Sequence, residues 1–137
     1  MNTNKFLVGG IAGGIVYFVL GYVLYGLLFK SYFADNGMSV DMSKMEWWAM
    51  ILSCLAMGFL FAFVLGKANA NSLSGGAGVA FVVGLLMSLS FDLGMYSMGQ
   101  GLTKLTALCV DVVLGAVMAA ITGAAIAWVN SMGKKAA

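Results

Sequence analysis

Apolar positions in this chain run in four blocks rather than alternating with polar ones. The blocks cover residues 6–29, 47–65, 76–97 and 105–128. A helix crossing a hydrocarbon core of ~30 Å needs ~20 apolar residues. A membrane strand needs only ~9–11 and alternates in polarity. The pattern therefore predicts an all-α integral membrane protein, a four-helix transmembrane bundle. Its helices are expected over about 5–30, 44–66, 75–98 and 103–131, as one transmembrane domain spanning 1–137. Short loops make consecutive helices antiparallel neighbours.

Local signals agree with these spans. Ser43-Lys44-Met45-Glu46 has the form of a capping box before Trp47. Thr3 or Asn4, Ser74 and Thr103 are candidate caps for the first, third and fourth helices. Asn36-Gly37, Gly99, Gly101 and Gly133 are expected stops. With no proline in the chain, each helix is expected to be unbroken. The segment after Lys30 either extends the first helix or lies in the interface. The first apolar block is far longer than the ~7–15-residue core of a signal peptide. It ends in Tyr25-Gly26-Leu27-Leu28-Phe29-Lys30, with no small-residue cleavage pattern, so it is expected to be retained.

Composition narrows the function. Hydrophobic residues make up 62% and charged residues 9% of the 137 positions. Soluble domains run near ~45–50% and ~25%, so a water-soluble enzyme and a disordered chain are excluded. There is no His and there are only two Cys, so the chain has almost no material for zinc sites, histidine catalysis or disulfides. No cofactor is expected, and the chain reads as non-enzymatic. Cys54 and Cys109 read as small apolar residues. A net charge of +2 does not argue for nucleic acid. Lys5, Lys67, Lys134 and Lys135 fall on the side of the termini, against Lys30, Lys44 and Lys104 opposite, which favours cytoplasmic termini. Tyr22, Tyr25, Phe29, Tyr32, Phe33, Trp47 and Trp48 gather at the other side and read mostly as interfacial anchors.

Small residues form ladders at four-residue spacing. The fourth helix carries Ala107, Asp111, Gly115, Ala119, Gly123 and Ala127, and the third carries Gly76, Ala80, Gly84, Ser88, Asp92 and Tyr96. Each ladder marks one helix face, and small faces let backbones approach closely in lipid. In an antiparallel hairpin, residues at one depth have numbers with a constant sum. The two ladders satisfy one such register, which sets Gly84 against Ala119, Ser88 against Gly115 and Asp92 against Asp111. These two are the only acids well inside the apolar blocks. Intramembrane acids face protein or a polar cavity by default.

Three readings of the acids stay open. They can hydrogen-bond Tyr96, Ser88, Thr106, Tyr22 or Tyr25, with Lys104 reaching toward Asp111, and so hold the bundle. They can form a proton or small-cation site, since two level carboxylates disfavour double ionisation. They can also line a crevice for a partner helix or ligand. The first helix carries Gly9, Gly13, Tyr17, Gly21 and Tyr25 on one face and Gly10 and Gly14 on the next, and the second carries Cys54, Gly58, Ala62 and Gly66. These ladders serve either packing within the chain or a subunit interface.

Leu20-Gly21-Tyr22-Val23-Leu24-Tyr25-Gly26, Phe91-Asp92-Leu93-Gly94-Met95-Tyr96 and Asp111-x-x-x-Gly115 together resemble a family of small four-span bacterial inner-membrane proteins of unknown function. The resemblance covers nearly the whole chain. It implies the bacterial inner (cytoplasmic) membrane as location and supplies no activity. Two functions are expected to compete. One is a non-enzymatic homo-oligomer or accessory subunit whose partners are the lipid bilayer and other membrane subunits. The other is a small proton- or cation-conducting transporter or channel using Asp92 and Asp111.

Overall fold

A computed structural model describes residues 3–36, 46–70, 72–99 and 104–136, with side chains up to 132 in the last segment. The described elements are α1 (Thr3–Val23), a π-helical turn (Leu24–Leu28), α2 (Lys30–Asp35), α3 (Trp47–Lys67), α4 (Leu73–Ser97) and α5 (Leu105–Ala136). There is no strand among the described residues. Four of the helical segments are long and apolar enough to cross a membrane: Thr3–Leu28, Trp47–Lys67, Leu73–Ser97 and Leu105–Met132. The chain is an all-α bundle of four such helices.

α5 is the axis of the bundle and the most buried span. α4 packs chiefly on α5, and α1 packs on both α5 and α3. Contacts of α3 with α4 and α5 are slighter. Phe61, Ala62 and Leu65 of α3, Ala80 of α4 and Ala119 and Ile126 of α5 form the main core. Apolar side chains elsewhere face outward, as lipid requires of a spanning bundle.

Several details depart from expectation. The first helix is broken without proline. Phe29 N–H donates to the Leu24 carbonyl at 2.8 Å, a five-residue step that inserts one extra residue into the turn. The chain then restarts as the separate α2. α4 is capped by Ser72, whose hydroxyl accepts from the Gly75 N–H, and not by Ser74, which lies inside the first turn. Glu46 is itself the residue before α3 and makes no side-chain cap; it accepts from Trp48 Nε1 at 3.2 Å instead. α5 runs through Gly133 to Ala136. A single glycine costs a helix only about 1 kcal/mol, and no proline follows to stop it. Gly99 does end α4, at φ +70°, a left-handed conformation that glycine adopts without strain. Ser43, Thr103, Gly37 and Gly101 lie outside the described residues.

Candidate functional site: an acid pair at one end of the α4–α5 seam

The site begins with the seam that delivers it. Gly84 faces the Cβ of Ala119, and Gly123 faces the Cβ of Ala80 and the carbonyl of Gly76. A Cβ on Gly76 would lie 2.7 Å from the Gly123 carbonyl oxygen and 2.9 Å from the Cβ of Ala127. Gly115 receives the hydroxyl of Ser88. These pairs follow the register expected from the two ladders. Contact this close leaves no room for lipid or water, and packing of this kind is what joins helices in a membrane.

One turn beyond Ser88 and Gly115 the same register brings Asp92 and Asp111 together. They are 8% and 9% exposed. They lie level with each other across the seam, one turn beyond the Ser88–Gly115 contact. Asp111 Oδ1 also accepts a hydrogen bond of 2.6 Å from the Tyr25 hydroxyl. Asp92 Oδ2 is fully buried and has no hydrogen-bond partner. Both acids sit roughly 7–10 Å inside their helix ends, at a rise of ~1.5 Å per residue.

Tyr25 arrives through the π turn. That turn is followed by α2, where Phe33 is 2% exposed and stacks on the Tyr25 ring at 5.2 Å between centroids. Phe33 and Ala107 form a small core with Tyr25, Phe29, Tyr32, Val110 and Leu114 around them. The Asn36 side chain closes α2 by donating to the Tyr32 carbonyl at 2.7 Å. Tyr25, Phe29 and Phe33 thus pack on each other and on α5, where interfacial anchoring was expected. Tyr22 and Trp48 are exposed, as interfacial anchors would be.

The remaining candidates divide. Ser88 is half-buried and borders the pair. Tyr96 is 40% exposed, so it falls outside the buried cluster; one turn on from Asp92, α4 has rotated it off the seam. Lys104 is exposed at the start of α5, and no ion pair joins it to Asp111 among the described residues. Thr106 is exposed as well. Gly84, Gly115, Ala119 and Gly123 all lie in the α4–α5 seam. Gly9 and Gly13 meet Ile126 of α5, at 3.1 Å and 2.7 Å from an added Cβ. Gly10 and Gly14 meet Phe59, Leu55 and the backbone of α3, and Gly58 faces the backbone of Gly10 and Gly14. Both glycine faces of α1 are therefore consumed within the chain, because α1 packs between two helices.

Sequence reasoning passed over Tyr17 and Asn130. Tyr17 packs on Phe61 and lies within electrostatic reach of Asp111. Its signal was its place in the ladder Gly9, Gly13, Tyr17, Gly21, Tyr25, which is the face that α1 presents to α5. Asn130 lies beside Gly9 with a buried, unpartnered Oδ1. Both cysteines are free, Cys54 buried and Cys109 exposed. No family model, curated protein or solved structure matches the chain.

Proposed function

We propose that this chain is a non-enzymatic, multi-pass protein of the bacterial inner membrane that works in an assembly, as a homo-oligomer or as an accessory subunit of a larger membrane complex. The outward face of α4 carries this reading. Gly78 and Gly94 are both exposed, each with nothing within 4 Å of an added Cβ. A glycine gains nothing against lipid, whereas small residues are what a second helix packs on. The lysine distribution supports cytoplasmic termini, and the sequence resemblance supports the bacterial setting. Native mass measurement in mild detergent tests the assembly: a pure monomer in lipid-like conditions would sink it. Cysteine labelling from each side at positions 36 and 69 tests the topology.

A second reading, a small proton- or cation-conducting transporter, is favoured by the buried, unpartnered Asp92 Oδ2. Reconstituted chain that supports ion flux, lost in Asp92→Asn, would establish it. The two readings are compatible only if several copies enclose a path, since four helices packed this closely leave none at the α4–α5 seam.

A further inference from the structure

We infer that Asp92 and Asp111 bind one shared proton at a site reached from a single membrane face, and that this proton holds α4 on α5. The inference goes beyond assembly and requires no ion flux.

The geometry calls for a hydrogen between the acids. Ionised carboxylates are acceptors only, so two buried carboxyl groups set level with each other across the seam can bond to one another only through a proton. Among the described residues the donor that reaches the pair is the Tyr25 hydroxyl, directed at Asp111 Oδ1. Asp92 Oδ2 is buried and receives nothing. The titratable groups facing Asp92 are Asp111 from α5, Tyr25 from the π turn and, behind it, Tyr17 from α1. α3 sends none; its Cys54 lies toward Tyr17. None of these is a cation, so among the described residues nothing offsets two negative charges. Binding takes a proton from water, and the pair goes from two charges to one.

The donor set selects a proton over a metal ion. Among the described residues no three His, Cys, Asp or Glu side chains come together. The Tyr25 hydroxyl also points its hydrogen into the site, the wrong polarity for a cation.

One-sidedness follows from what lies along the seam. Asp92 is close to Ser97 at the end of α4, and Asp111 is close to Leu105 at the start of α5, so both are near the same face. Toward the termini the seam continues past Ser88 as Gly84 on Ala119, Ala80 on Gly123 and Gly76 on Ala127. The one buried hydroxyl alongside, that of Thr122, is committed to the Met118 carbonyl at 2.8 Å. Among the described residues no relay of polar side chains crosses this half of the seam. Because α4 rests chiefly on α5, ionising both acids loosens the helix whose outward face the assembly reading uses.

The test uses the full chain in sealed vesicles and follows the infrared carbonyl band of a protonated carboxylic acid. The band is expected at neutral pH, and it should be lost in both Asp92→Asn and Asp111→Asn. These amides keep the shape and a donor, and circular dichroism confirms that each variant is folded. A pH step on the face bearing Trp48 should change the band, while a step on the face bearing the termini should not. The melting temperature of the parent should fall as pH rises through loss of the band, and Asp92→Asn should flatten that dependence. A missing band, a band that survives in either variant, or a flat parent profile overturns the shared proton. Equal response from both faces, with acidification of the vesicle lumen, overturns one-sidedness and establishes the transporter instead. A monomer with a one-sided band would sink assembly and leave this inference standing.

Discussion

The two ends of the bundle are built on different principles. Toward the termini, helices close on glycine and alanine, with Phe61, Leu65 and Ile126 filling the space between them. At the far end, two acids, a tyrosine and a set of aromatic rings take over, and the first membrane helix gives up its regular hydrogen bonding. The near end resists change by lack of space. The far end is held by a few polar bonds, each with a definite partner. Steric closeness is distributed over many small residues, whereas the polar end depends on single atoms.

That contrast can be broken most sharply at Gly58. An added Cβ there meets the backbone of Gly10 and Gly14, which cannot rotate away. Gly58→Leu is expected to destabilise the bundle by about 3 kcal/mol or more, since overpacking a tight core costs about 1–3 kcal/mol even where side chains can yield. Denaturation in mixed detergent micelles would measure it. A variant as stable as the parent would show that α1 and α3 do not meet here.

Substitutions at the acids come next. Asp111→Leu strands both the Tyr25 hydroxyl and Asp92, and about 1–3 kcal/mol is expected for each buried group left unpaired. Asp92→Leu leaves Asp111 its tyrosine and should cost less. The double variant should fall short of the sum, because the two residues share one interaction. Simple additivity in the same assay would mean that the acids do not touch. Tyr25→Phe removes one hydrogen bond and keeps the ring on Phe33, so a loss of about 1 kcal/mol is expected. The smallest effect belongs to Gly94→Leu, on the open face of α4. Protomer stability should stay within about 0.5 kcal/mol of the parent, while the native mass should shift to smaller species if that face joins subunits.

How much of this was legible differs between the ends for the same reason. The four spans, and the register that pairs Gly84 with Ala119 and Asp92 with Asp111, could be read from spacing alone, because a four-residue repeat is a face of a helix wherever it occurs. The choice of Tyr25 from five possible partners could not be read. It depends on a widened turn that no proline or glycine pattern announces, since Leu24-Tyr25-Gly26-Leu27-Leu28 is as suited to an α-helix as its neighbours. Tyr96 leaves the cluster because each four-residue step turns about 40° around a helix of 3.6 residues per turn, and Lys104 lies ahead of α5, which begins at Leu105. The two glycine faces of α1 pointed equally to subunits or to neighbours, and only the placement of α1 between α3 and α5 decides for neighbours.

The extra residue in the π turn acts as a phase shift. One residue corresponds to about 100° of helix rotation, so the insertion sets the angle at which everything after it leaves the membrane helix. Deleting any one of Leu24, Leu27 or Leu28 would restore a continuous α-helix and swing Phe33 about 100° away from Ala107. Substitutions within the turn keep the count and therefore keep the angle. At this place the chain should tolerate changes of letter far better than changes of length. Among variants selected for function, replacements should accumulate at Leu24, Leu27 and Leu28, and single-residue deletions should be missing.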